Sequence, residues 1–92
     1  MNVYDTLSHA ARQWPDRIAI IDAAGSMDYQ SLWREIESVR SQLAQLGVRD
    51  GQGVGMQGRN GRAFVIGALA ALGCGAVVMP IHHLLKIGRA HV

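Results

Sequence analysis

The first half of the chain carries hydrophobic residues at the spacing of α-helices. One face of an amphipathic helix is formed by five of them, which are spaced four, three, one and three positions apart: Val3, Leu7, Ala10, Ala11 and Trp14. Asn2 and Asp5 can cap the start of this helix, and Pro15 ends it at Trp14. The pattern therefore predicts a first helix from Val3 to Trp14.

A second helix is predicted by hydrophobic residues at alternating steps of four and three: Leu32, Ile36, Val39, Leu43 and Leu46. Asp28 is a suitable N-cap for this helix, and Gly47 is a suitable residue just beyond its C-terminus. Glu37 lies on the polar side, three residues from both Arg34 and Arg40. Ion pairs at this spacing contribute only a few tenths of a kcal/mol, so we expect a solvated face without a functional role.

The remaining apolar runs are short and predict mainly strands. Ile18–Asp22 is rich in β-branched residues, and Ser26–Asp28 can pair back on it after a turn. Gly53–Gln57 alternates small and apolar residues like a strand. Arg62–Gly73 is apolar on nearly all sides and is expected to be a helix buried on several sides. Ala76–Met79 then reads as a buried strand before a proline. This order forms a βαβ unit with parallel strands, and the fold class is therefore α/β.

Composition limits the class of protein. The chain has 92 residues, 49% of them hydrophobic, which permits one small domain at most and excludes an intrinsically disordered chain. A single cysteine excludes a disulfide-stabilised secreted mini-protein, and Met1–Asp5 does not resemble a signal peptide, so we expect a cytoplasmic protein. Aromatic residues make up 5% and no basic stripe occurs, so we expect no nucleic-acid partner.

The C-terminal residues look foreign to the rest of the chain. Ile87–Val92 is the translation of ATC GGA AGA GCA CAC GTC, part of a common sequencing-adapter oligonucleotide whose next triplet is a stop, and the preceding adapter bases complete the codon of Lys86. We predict that residues 86–92 derive from the adapter. Nine Lys/Arg and seven Asp/Glu give a net charge of +2. Lys86 and Arg89 lie in this tail, so residues 1–85 carry seven charges of each sign and their balance indicates no acidic partner.

Two patterns suggest functions that their context disfavours. Gly53–Gly58 matches the G-x-G-x-x-G dinucleotide fingerprint, which requires a preceding strand and an acidic residue about 20 positions later. Here the pattern occupies the strand itself, and no Asp or Glu follows Asp50. Residues 63–81 are uncharged and long enough for a membrane span, but three glycines and a proline interrupt them. We expect no membrane span; a dinucleotide-binding site and a single-span membrane segment are kept as alternatives.

The sequence contains no evident catalytic or metal-binding arrangement. His82 and His83 are adjacent and point to opposite sides of an extended backbone, so they cannot both bind one metal. His9 lies on the polar flank of the first helix. Cys74 lies between two glycines in an apolar setting, which is typical of a small buried residue. We therefore predict no catalytic, cofactor-binding or metal-ligating residue in this chain.

Several segments share the order and spacing of motifs in one enzyme family. Ala10–Ile20 is similar to that family's opening A-x-x-x-P-D-x-x-A segment, and Met27–Leu32 to its first core motif, L-[T/S]-Y-x-E-L, with Ser31 in place of Glu. Leu46–Gln52 is similar to its L-G-V-x-x-G-D turn, and Leu72–Pro80 to its second core motif, L-K-A-G-A-x-x-V-P. Together they resemble the N-terminus of the adenylate-forming superfamily, which comprises acyl-CoA synthetases, peptide-synthetase adenylation domains and luciferases.

Within this superfamily, Arg59, Asn60 and Phe64 resemble the R-N-x-x-x-F stretch of bacterial acyl-CoA synthetases. The resemblance implies that residues 1–85 are part of the large AMP-binding N-terminal domain, with an incomplete sheet. It also implies a parent enzyme that uses ATP, Mg and coenzyme A, and we expect its substrate to be a carboxylic acid of the fatty-acid class.

The family's phosphate loop, ribose-binding acid and mobile lysine all lie beyond residue 85. We therefore expect a truncated piece of an ATP-dependent carboxylate–CoA ligase that binds no cofactor and is inactive. The alternative is a small stand-alone α/β binding or interaction module.

Overall fold

The computed structural model describes residues 2–56 and 61–80, and its elements occur in the predicted α/β order. The helices are α1 (Val3–Gln13), α2 (Tyr29–Gln45) and α3 (Arg62–Gly73), and the strands are β1 (Ile18–Asp22), β2 (Gly25–Asp28), β3 (Gly53–Met56) and β4 (Val77–Pro80). The first helix stops one residue earlier than predicted. Trp14 has φ −136° and ψ 61°, because a residue that precedes a proline is displaced from the helical region.

The predicted caps begin both amphipathic helices. At α1, the Asp5 N–H donates to the Asn2 side chain at 3.0 Å, and the Asn2 N–H donates to the Asp5 carboxylate at 3.3 Å, which completes a capping box. At α2, the Asp28 carboxylate accepts a hydrogen bond from the Ser31 N–H at 2.7 Å. This bond to the charged form lowers the pKa of Asp28.

Glycine in the left-handed conformation ends the second helix, as predicted. Gly47 has φ +95° and donates to the Ala44 carbonyl at 3.1 Å, while the Val48 N–H donates to the Leu43 carbonyl at 3.1 Å. These two bonds form a Schellman motif. The end of α3 repeats the motif around Gly75, whose φ is +78°, so both helices stop at a glycine because the turn requires a positive φ.

The strands form two separate sheets within the described residues. β1 and β2 form an antiparallel hairpin with an irregular register between Ile18 and Ile20. β3 and β4 pair in parallel, from Gly53 opposite Val77 to Met56 opposite Pro80. Because α3 connects these two parallel neighbours, the predicted βαβ unit is confirmed.

The core lies where α3 packs against α2 and α1. Its buried members are Leu32, Ile36, Ile66, Leu69 and Ala70, and Ile36 is fully buried. The prediction that α3 is buried on several sides holds for its contacts with α1, α2 and the parallel strands, but Val65 is 38% exposed. Among the described residues, no helix combines the length and apolar character needed to cross a membrane.

Candidate functional site

A polar cluster joins α1, α2 and the end of α3. The Tyr4 hydroxyl donates to the Glu37 carboxylate at 2.9 Å, and the same carboxylate oxygen is ion-paired with Arg40. Burial, together with the hydrogen bond to Glu37, raises the pKa of Tyr4 to about 12. Glu37 and Arg40 are half-buried, so the expectation of a merely solvated face is wrong at these two residues: they connect helices.

The same cluster explains why a small residue ends α3. A Cβ at Gly73 would lie 2.5 Å from Cε1 of Tyr4 and 2.9 Å from Cδ of Arg40, so a glycine lets both side chains cross the end of the helix. Cys74 is half-buried, and its thiol donates to the Arg40 carbonyl at 3.5 Å. This contact fits the predicted packing role of Cys74.

A second polar contact ties the start of α3 to the hairpin. The Arg62 guanidinium binds the Asp22 carboxylate through two bonds of 2.8 and 3.0 Å. It also donates to the Gly25 carbonyl at 3.0 Å. Because Arg62 and Asp22 are 40 residues apart in sequence, sequence periodicity gave no signal for this pair.

An apolar groove of about 290 Å³ lies between the three helices and β1. Its lining comes from four elements: Thr6, Leu7 and Ala10 of α1, Ala19 and Ile20 of β1, Tyr29 and Leu32 of α2, and Val65 and Leu69 of α3. The hydroxyl of Thr6 already donates to the Asn2 carbonyl at 3.1 Å. The groove can therefore contact an apolar group, but its lining offers no charged group to a phosphate.

The motifs weighed in the sequence occupy structural positions. Gly53 and Gly55 lie inside β3, whereas a dinucleotide fingerprint needs them in the turn after a strand; Gly58 lies outside the described residues. His9 is exposed on α1 and meets Trp14 edge-on at 6.3 Å between ring centroids. His82 and His83 also lie outside the described residues. In residues 2–56 and 61–80, no group of three or more His, Cys, Asp or Glu is placed to hold a metal.

Comparison with known proteins identifies the family. The model of the family described as AMP-binding enzyme matches residues 7–92. A salicyl-AMP ligase / salicyl-S-ArCP synthetase of Mycobacterium tuberculosis is 34% identical over 90% of this chain and 16% of its own length. A medium/long-chain-fatty-acid–CoA/3-oxocholest-4-en-26-oate–CoA ligase of Mycobacterium marinum is 29% identical over 89% of this chain and 15% of its own length.

The fold agrees with this assignment. The N-terminal subdomain of NpsA from Klebsiella oxytoca superposes with a TM-score of 0.84 at 24% identity, over 94% of this chain and 23% of that one. The chain spans about a sixth of the length of each of the two curated relatives, the ligases of M. tuberculosis and M. marinum. The family match together with this superposition shows that the chain belongs to the AMP-binding, adenylate-forming enzymes and carries a piece of their N-terminal domain.

Proposed function

We propose that the chain is a piece of an ATP-dependent ligase that activates a carboxylic acid and transfers it to coenzyme A. In the whole enzyme, a carboxylate oxygen attacks the α-phosphorus of ATP and pyrophosphate leaves. The thiolate of coenzyme A then attacks the acyl carbon, and AMP leaves. The family match over residues 7–92 carries this proposal. Coenzyme A and a fatty acid are favoured by the R-N-x-x-x-F pattern and by the similarity to the M. marinum ligase.

A second candidate differs in the acid and in the thiol. The relative from M. tuberculosis, named as a salicyl-AMP ligase / salicyl-S-ArCP synthetase, is 34% identical to this chain. That similarity favours an aryl acid and the thiol of a carrier protein as the acceptor. Both candidates share acyl-adenylate formation, so only the second half-reaction and the choice of acid distinguish them.

We propose that the 92-residue chain is itself inactive. Adenylate formation needs cationic and backbone donors around the phosphates. In the described part of the chain, Arg40 and Arg62 are each paired with a carboxylate, and the groove is apolar. A groove with no charged residue in its lining does not fit a triphosphate with Mg. Residues 1–85 would then serve as scaffold, and the assignment of residues 86–92 to an adapter rests on the codon match.

The test has two parts. The purified 92-residue chain is assayed for ATP–pyrophosphate exchange with fatty and aryl acids, with an intact family member as the positive control; measurable exchange above a no-protein blank would refute inactivity. The gene is then re-amplified from source DNA and read past codon 85. We expect an open frame that encodes a Ser/Thr/Gly-rich loop. A genuine stop codon after Val92 would refute both the proposal that the chain is a piece of a longer ligase and the assignment of residues 86–92 to an adapter.

The extended polypeptide decides the acceptor. It is assayed with coenzyme A and fatty acids, and in parallel with salicylate and a carrier protein. Formation of the acyl-CoA ester supports the first candidate, and loading of the carrier protein alone supports the second. We expect the whole enzyme to be cytoplasmic, where ATP and coenzyme A are both available.

A further inference from the structure

We draw no further inference here: the strongest candidate, the apolar groove of about 290 Å³ between α1, α2, α3 and β1, has no charged residue in its lining, and nothing in the structure shows what covers it.

Discussion

Replacement of Gly75 tests the junction on which the parallel strands depend. Gly75 has φ +78°, and its carbonyl accepts a hydrogen bond from the Gly51 N–H at 2.9 Å. A Cβ at this position would lie 3.1 Å from Cα of Asp50. Gly75→Ala therefore combines backbone strain with a contact so tight that both the side chain and the backbone of Asp50 must move. Gly47→Ala is the matched control, because Gly47 ends α2 at φ +95° with no atom within 4 Å of its added Cβ.

The two substitutions should differ by a calculable amount. A left-handed conformation costs a non-glycine residue about 1–2 kcal/mol, which is the whole expected effect of Gly47→Ala. At Gly75, movement of Asp50 would also weaken the bond from Gly51 and the 2.7 Å bond from the Val77 N–H to the Gln52 carbonyl. Each such bond contributes about 0.5–1.5 kcal/mol. We therefore expect Gly75→Ala to destabilise the junction by about 2–5 kcal/mol.

Amide hydrogen exchange measures this difference locally. The excess free energy of about 1–3 kcal/mol predicts that the Val77 amide exchanges roughly 5- to 150-fold faster in Gly75→Ala than in Gly47→Ala. Amides of the β1–β2 hairpin serve as the internal reference, since the hairpin is bonded to Arg62, at the opposite end of α3 from the junction. Equal exchange rates in the two variants would refute the importance of the close approach to Asp50. An unprotected Val77 amide in the unsubstituted chain would refute the pairing itself.

Three further predictions concern the polar contacts. Asp28→Ala removes the N-cap of α2 and should lower Tm by a few degrees. The hydrogen bond from the Ser31 N–H lowers the pKa of Asp28 below its usual 3.8. The stabilisation by this cap is therefore present above pH 3.8 and is lost as the pH falls through the lowered pKa. Asp28→Asn should keep the cap but lose this acid dependence, which thermal melts at a series of pH values would measure. The pKa of Tyr4 is raised from 10.0 to about 12, so the stabilisation that its hydrogen bond to Glu37 gives the fold is complete below pH 10 and is lost as the pH rises towards 12. Tyr4→Phe should remove this loss of stability at alkaline pH. Titration of Tyr4 at the usual tyrosine pKa, followed by tyrosinate absorbance, would contradict the contact with Glu37. Arg62→Met and Asp22→Asn should each destabilise the fold by less than about 1 kcal/mol, as is usual for partly exposed pairs, and a double-mutant cycle with zero coupling would show that this tie contributes nothing.

Local sequence rules accounted for most of the secondary structure. Asn2 and Asp28 were predictable caps because capping joins residues three positions apart, and Gly47 was a predictable stop because few other residues adopt a positive φ. The polar cluster was not predictable. Glu37 and Arg40 look like a solvated pair on the helix, and only the placement of α1 brings the Tyr4 hydroxyl to 2.9 Å from that carboxylate.

By itself, the sequence determined the order of helices and strands, their caps, the βαβ unit and, through its motif order, the enzyme family. These features depend on neighbours a few residues apart or on motif spacing, which a linear pattern records. The tertiary structure alone decided which residues meet across the chain: Arg62 with Asp22, Tyr4 with Glu37, and the four elements around the groove. Such contacts depend on how whole elements pack. An apolar strand has the same sequence pattern whether one face of its sheet or both are covered, so only the packed structure shows that Val77 and Met79 of β4 are half-exposed.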